Sequence, residues 1–247
     1  MKNYIVPSII LGSALALGAA EPKETLKNAL KALGEKANYS WITTTETQGA
    51  QRQPNPVKGM TEKGGCTFLC QELNTGTAEA VIKGEQRIVK TEEGWKTAAE
   101  LRAAGGGPGA GGVRGAMMGR ALLNMRTPVA QAEELLGKLK ECKADDGGVI
   151  TADLTEEGAK ELLAFGRRGR PGQESQNAPP GPKNAKGSVK FWIKDGLLTK
   201  IELKLQGTVT GRDQQERDVA RTVTHEIKDV GTTKVAIPED AKKKLAS

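Results

Sequence analysis

The chain has few of the residues on which catalytic and metal sites depend. Its 247 residues include one histidine, three cysteines and 3% aromatic residues. A structural zinc site needs a full set of Cys or His ligands, and a catalytic histidine needs a nucleophile within reach. No such pattern surrounds His225, and Cys66, Cys70 and Cys142 match no local catalytic signature. We therefore expect no enzyme activity, no metal and no cofactor.

Long apolar runs are absent beyond the first twenty residues. There, Lys2 precedes the apolar residues 4–17, and the small residues Gly18-Ala19-Ala20 follow. This order is typical of a cleaved secretory signal peptide, and the run is shorter than the ~20 apolar residues of a membrane span. We expect cleavage near Ala20 and a periplasmic or otherwise secreted protein whose membrane contact is at most transient.

Positive charge exceeds negative charge without indicating a nucleic-acid-binding surface. The formal net charge is +7, but the basic residues mostly alternate with acidic ones. The locally basic stretches, residues 167–170 and 242–244, lack the interleaved stacking aromatics of a nucleic-acid site. We therefore expect no nucleic acid partner.

The three cysteines leave the disulfide pattern open. Cys66 and Cys70 lie in one predicted strand, where four residues span ~13 Å. A disulfide needs Cα atoms within ~7 Å, so these two cannot pair with each other in an extended segment. Either one of them pairs with Cys142, or the cysteines are small buried apolar residues.

Apolar periodicity predicts an α+β protein. Helices are predicted over residues 22–33, from Thr127-Pro128 to Leu139, after Thr155 and over 238–245, and strands over 39–47, 57–62, 66–72, 78–83, 85–91, 149–154, 189–193, 197–205 and 219–227. Val235 and Ile237 are predicted to close the sheet. After the signal peptide at 1–20, residues 21–247 form one domain with flexible Gly- and Pro-rich loops at about 103–119 and 167–187.

The hairpin around Asp195-Gly196 has two candidate registers. A two-residue turn places Ile193 opposite Leu198 and sets the apolar side of one strand against the charged side of the other. A three-residue loop places Ile193 opposite Leu197, and both apolar sets then share one face. We therefore predict the three-residue loop, with Gly196 left-handed in a bulge.

Three stretches support a family resemblance. They are Asn38-Tyr39-Ser40-Trp41 after the first helix, the hairpin segment from Gly187-Ser188-Val189 to Lys194-Asp195-Gly196, and the closing Val235-Ala236-Ile237-Pro238. Together with the hairpin meander, they resemble the outer-membrane lipoprotein carrier (LolA/LppX-like) superfamily. The resemblance implies an antiparallel sheet curled into an incompletely closed β-barrel, with helices covering its concave face. It also implies that lipids or lipoprotein acyl chains bind between sheet and helices.

Five residues are the predicted ligand contacts. Trp41 and Trp192 either pack in the core or line an apolar pocket, and Met117, Met118 and Leu122 would form its movable cover. On this interpretation the protein is a carrier or sensor of a lipid, an acylated protein or another apolar ligand. The alternative is a structural or regulatory envelope protein that binds a protein partner and has no ligand pocket.

Overall fold

The structure, a computed structural model, describes residues 21–74, 76–103, 121–145, 147–164, 180–211 and 214–246. The predicted signal peptide, Met117, Met118 and most of both predicted loops lie outside these ranges. Within them, no helix is both long and apolar enough to cross a membrane.

The described part of the chain contains eleven strands and five helices with defined bounds, and residues 121–123 are helical as well. The helices are α1 (Pro22–Gly34), α2 (Ala98–Ala103), α3 (Pro128–Leu136), α4 (Glu156–Ala164) and α5 (Glu239–Ala246). The strands are β1 (Asn38–Thr47), β2 (Val57–Glu62), β3 (Thr67–Leu73), β4 (Gly76–Lys83), β5 (Gln86–Thr91), β6 (Gly94–Thr97), β7 (Leu139–Ala144), β8 (Val149–Leu154), β9 (Lys183–Lys194), β10 (Leu197–Thr210) and β11 (Glu216–Lys228).

All eleven strands form one antiparallel sheet in the order β6-β5-β4-β3-β2-β1-β11-β10-β9-β8-β7. The two edge strands, β6 and β7, are not hydrogen-bonded to each other, so the sheet is not closed into a complete barrel. This confirms the predicted fold class, an α+β protein with a large antiparallel sheet that does not close into a complete barrel.

One face of the sheet is covered by helices. Thr43, His225, Ile201, Phe191 and Ile150 lie opposite one another on successive strands and therefore point to this face. Helix α1 packs against β10, and α4 packs against β9 and β10. The main hydrophobic core lies between these layers. We call this side the helix-covered face.

The other side, the open face, has a different composition. The cross-strand row next to the one just described points to this side and contains Ile42, Glu226, Lys200, Trp192 and Val149. Here Lys200 Nζ lies 4.7 Å from the centroid of the Trp192 ring. None of these five residues is fully buried, so this part of the open face lies at the surface.

Helix α5 covers one end of the open face. Ala241 and Leu245 of this helix pack with Ile237 against Val81 and Ile88 in a second, smaller core. The prediction that Val235 and Ile237 close the sheet is wrong. Strand β11 already pairs on both sides, with β1 and β10, so the segment that follows it cannot add to the sheet beside β11.

Two predicted element boundaries are also wrong. Helix α3 ends at Leu136, and Leu139 begins the edge strand β7 and pairs with Leu154. Its spacing fits a helix, but Gly137 caps α3 and the chain then joins the free edge of β8. The second predicted loop ends before residue 187, because β9 already begins at Lys183.

The β9–β10 hairpin combines the two registers that the sequence allows. Its turn has two residues, Asp195 at φ +52° and Gly196 at +73°, and Ile193 lies opposite Leu198. The predicted three-residue loop is therefore wrong. A register shift between Leu198 and Lys200 then brings Phe191 opposite Ile201. This bulge returns both apolar sets to the helix-covered face within a few residues of the tight turn.

Candidate functional site

A cavity of about 500 Å³ lies on the helix-covered face, between strands β3–β5 and residues 124–130. We call it the cleft. Its lining residues are Thr67, Leu69, Ile82, Arg87, Asn124, Met125, Arg126, Thr127 and Ala130. Ligand pockets in proteins have volumes of roughly 300–1,000 Å³, so the cleft has the dimensions of a small-molecule site.

The floor of the cleft is one cross-strand row of the sheet. Thr61, Thr67, Ile82 and Arg87 lie opposite one another on β2, β3, β4 and β5. The Thr61 and Thr67 hydroxyls are 2.8 Å apart and satisfy each other, and the buried Leu69 adds apolar surface. The floor therefore offers aliphatic contacts in its centre and a cationic group at the β5 end.

The roof of the cleft is the approach to helix α3. Met125 packs against the main core, and the Thr127 hydroxyl caps the helix by accepting a hydrogen bond from the Ala130 amide at 3.3 Å. Burial is the main cause that raises the pKa of Tyr39, and the neighbouring Thr127 side chain and Val129 backbone act in the opposite direction. The start of α3 therefore lies beside Tyr39, which points to the helix-covered face.

Two arginines flank the cleft, one from each layer. Arg87 Nη1 donates to the carbonyl oxygen of Leu123, which ties the floor to the roof. Arg126 Nη1 lies 3.1 Å from Glu134 Oε2. Glu134 also lies 3.6 Å from Lys138 Nζ. The lining residues include no aspartate or glutamate, so the wall of the cleft carries positive charge only.

Trp41 lies beside the cleft in the core. Its cross-strand neighbour is Gly59, which pairs in turn with the cleft residue Leu69. The indole is 1% exposed, and its Nε1 has no hydrogen-bond partner in the described part of the chain. Trp41 therefore packs the wall behind the cleft without lining it.

The other predicted contacts are separated from one another. Leu122 is buried in the main core, directly before Leu123, whose carbonyl oxygen accepts the hydrogen bond from Arg87. Trp192 lies on the open face, on the opposite side of the sheet from Trp41. Met117 and Met118 fall outside the described residues. The ligand-binding role of these five residues stays a prediction.

The sequence reasoning missed the arginines of the cleft. Arg87 and Arg126 lie 39 positions apart on different layers, and neither belongs to a local motif. The one local signal was the Thr127-Pro128 helix start, which places Arg126 immediately before α3.

His225 is a buried histidine of the core. Its Nδ1 lies 2.9 Å from the Thr43 hydroxyl, and loss of solvation lowers its pKa to about 4. Neither Cys66 nor Cys70 can form a catalytic pair with His225, because both lie on the other side of the sheet. Cys70 lies opposite Lys58 and Glu79 on the open face, and Cys66 packs in the smaller core beneath α5.

All three cysteines are free thiols. Cys142 lies opposite Ala152 and packs against the main core, whereas Cys66 and Cys70 lie on the other side of the sheet. A disulfide between the two sides is therefore excluded in this fold. Burial raises the pKa of each thiol, which lowers its reactivity. The described residues also contain no cluster of ligands that could hold a metal ion.

A second cavity of about 690 Å³ lies on the open face. Its walls include Lys186 and Lys204 as well as Glu46 and Asp153, together with polar Gln, Ser and Thr side chains. The larger volume does not make it the better candidate for an apolar ligand, because Leu205 and Ala220 are its only aliphatic lining residues and its lining carries charges of both signs.

Comparison with known proteins adds two similar structures. Neither a protein-family model nor a curated protein sequence matches the chain. LprF from Mycobacterium bovis is similar at 13% identity and a TM-score of 0.42, over 89% of this chain and 96% of that chain. A LolA superfamily protein from Nitrosomonas europaea is similar at 8% identity and a TM-score of 0.33, over 90% of this chain and 96% of that chain.

Proposed function

We propose that the chain is an exported binding protein that holds an apolar ligand in the cleft, as a carrier or sensor of a lipid or an acylated protein. The observation that supports this most directly is the position of the cleft between the sheet floor at Leu69 and Ile82 and the roof at Met125. Aliphatic side chains provide the favourable burial of an apolar chain, and methionine adapts to varied shapes.

The polar groups of the cleft fit the same role. Thr67 and Thr127 are already hydrogen-bonded, so they impose little cost on an apolar chain that passes beside them. The alternative function, a structural protein without a pocket, requires the space between sheet and roof to be filled by the protein's own side chains. The side chains that the structure describes leave a cavity of about 500 Å³ in this space.

Filling the cleft tests the proposal. Ala130→Phe adds an aromatic ring to the cleft wall, whereas Thr222→Phe adds the same ring to the wall of the open-face cavity. Binding of a myristoyl lysophospholipid would be measured by calorimetry below its micelle concentration. We expect Ala130→Phe to weaken binding at least tenfold and Thr222→Phe to leave it within a factor of two.

If Thr222→Phe weakens binding and Ala130→Phe does not, the ligand binds in the open-face cavity and not in the cleft. Unchanged binding in both variants, or no binding by the wild-type protein, would contradict the proposal. Thermal unfolding of both variants would show that the comparison is made between folded proteins.

A further inference from the structure

The charge on the cleft wall is one-sided. Arg87 from the floor and Arg126 from the roof are both exposed at the surface, and both line the cavity without any acidic lining residue. The open-face cavity provides the contrast within the same molecule, because its lysines are accompanied by Glu46 and Asp153. A wall with charge of one sign attracts ligands of the opposite sign.

The two guanidinium groups retain donors for a ligand. Arg87 uses one N–H for the Leu123 carbonyl, and no described carboxylate lies within ion-pair distance of it. An arginine has five N–H donors in a planar fork that matches carboxylate and phosphate oxygens. Arg126 shares Glu134 with Lys138, so Glu134 keeps a cationic partner if Arg126 turns toward a ligand.

The start of helix α3 adds to this positive potential. Thr127 and Ala130, in its first turn, also line the cleft, and the amino end of a helix carries partial positive charge. The helix has nine residues. The apolar floor and the cationic wall therefore occur together in one cavity.

We infer that the ligand of the cleft is an anionic amphiphile, whose aliphatic chain lies on Leu69, Ile82 and Met125 and whose carboxylate or phosphate group binds Arg87 and Arg126. The inference rests on the proposed function, since it specifies the ligand of that same site. The chain supplies apolar burial, and the head group forms charge-assisted hydrogen bonds to the guanidinium groups.

Lipids with one chain and different head groups test the inference. The wild-type protein would be titrated calorimetrically with myristoyl lysophosphatidylglycerol, which is anionic, with myristoyl lysophosphatidylcholine, which is zwitterionic, and with the fatty acid myristate. We expect both anionic lipids to bind about tenfold more tightly than the zwitterionic lipid, a ratio consistent with a charge-assisted hydrogen bond. The ratio should fall at high salt because the arginines are exposed.

Three variants assign this preference to residues. Arg87→Gln should remove most of the preference and change binding of the zwitterionic lipid little, and Arg126→Gln should act in the same direction. The matched control is Lys190→Gln, which removes one positive charge from an exposed position on the open face and should preserve the full ratio. If Arg87→Gln proves unstable to heat, Arg126→Gln provides the same test.

The outcomes separate the two claims. Equal binding of anionic and zwitterionic lipids by the wild-type protein overturns the inference and leaves the proposed function standing. If Arg87→Gln weakens the binding of anionic and zwitterionic lipids equally, the inference is also overturned, since Arg87 would then act only by holding the roof through Leu123. Failure of all three lipids to bind overturns both claims. Tight binding of only one of the two anionic lipids also supports the inference. Myristate alone would identify the bound head group as a carboxylate, and myristoyl lysophosphatidylglycerol alone would identify it as a phosphate.

Discussion

The indole ring of Trp41 lies directly against Gly59 on the neighbouring strand β2. A Cβ atom at position 59 would be 2.2 Å from the Cε2 and Cζ2 atoms of the indole. Glycine at this position is therefore required by the tryptophan and not by a turn. The pair lies in the main core beside the cleft residue Leu69, which is opposite Gly59 on β3.

Gly59→Ala should destabilise the protein because the added methyl group overpacks this wall. We expect a loss of about 2 kcal/mol in the free energy of unfolding, measured by urea denaturation. Gly137→Ala is the matched control, since its new Cβ would lie 3.9 Å from the nearest atom, and it should change stability by less than about 0.5 kcal/mol. If the cost persists unchanged when Trp41 is first replaced by leucine, the steric explanation is wrong.

Gly196→Ala should weaken the β9–β10 hairpin. Gly196 has φ +73°, and a side chain in the left-handed region costs roughly 1–2 kcal/mol. Asp195 also has positive φ, +52°, but asparagine tolerates this conformation well. In denaturation experiments, Asp195→Asn should therefore be nearly neutral while Gly196→Ala loses about 1 kcal/mol; equal effects of the two would contradict the two-residue turn.

The buried His225 should make stability depend on pH. Its pKa is lowered to about 4 in the folded protein by loss of solvation, whereas an unfolded histidine titrates near ~6.5. Below that value the unfolded chain binds the additional proton, so stability is fully present above about pH 6.5 and is lost as the pH falls towards 4. The loss from this group approaches about 3 kcal/mol.

His225 is the only histidine of the chain, which makes this effect separable. Unfolding free energies at pH 7 and pH 5 would be compared for the wild-type protein and His225→Gln. The variant should lose most of the difference between the two pH values, whatever its absolute stability. An imidazole NMR titration with a midpoint near 6.5 in the folded protein would contradict the burial of this side chain.

Glu100 links helix α2 to helix α5. Its carboxylate lies 2.6 Å from Lys244 Nζ and accepts a hydrogen bond from the Thr97 amide at 2.7 Å. Lys244 is the main cause that lowers the pKa of Glu100 to about 2, and the Thr97 amide adds to it. The resulting contribution to stability is present above about pH 4.5 and disappears as the pH falls towards 2.

Lys244→Met should raise the pKa of Glu100 towards the ordinary carboxyl range. A carbon-detected NMR titration of the side-chain carboxyl group would measure the change. Lys243→Met removes a neighbouring charge on the same helix and should leave the Glu100 midpoint where it is. A midpoint that does not move in Lys244→Met would show that the Glu100–Lys244 pair does not form in solution.

Local patterns predicted most of the secondary structure. The apolar spacing of Leu26, Ala29, Leu30 and Leu33 predicted α1, and these four residues are buried in the structure. The Thr127-Pro128 signal placed the start of α3 correctly. Both signals lie within a few residues of the element they specify, which is why sequence alone was sufficient.

The errors arose where distant parts of the sheet decide the outcome. Ile237 alternates like a strand residue, but β11 has no free edge beside it, and its side chain packs under α5 instead. Leu139 fits the helical spacing of α3, but it pairs with Leu154 at the edge of β8 and therefore begins a strand. The bulge between Leu198 and Lys200 satisfies both turn chemistry and burial, a compromise that neither requirement predicts alone.

The candidate site was the least predictable feature. The cleft joins Arg87 of β5 to Arg126 before α3 through the fold of the whole sheet. Tryptophans were natural candidates in an aromatic-poor chain, yet Trp41 and Trp192 point to opposite faces. The alternation of β9 predicts the position of Trp192, which follows Phe191 directly and faces away from the apolar set of this strand.

The most direct test of the cleft as the binding site is photo-crosslinking with a fatty acid that carries a diazirine on its chain. After irradiation and proteolysis, mass spectrometry would locate the modified residues. We expect labels on β3–β5 and on residues 124–130, with loss of labelling when unlabelled myristate is added in excess. Labels confined to the open face around Lys186 and Lys204, or labelling that excess myristate does not displace, would contradict the account.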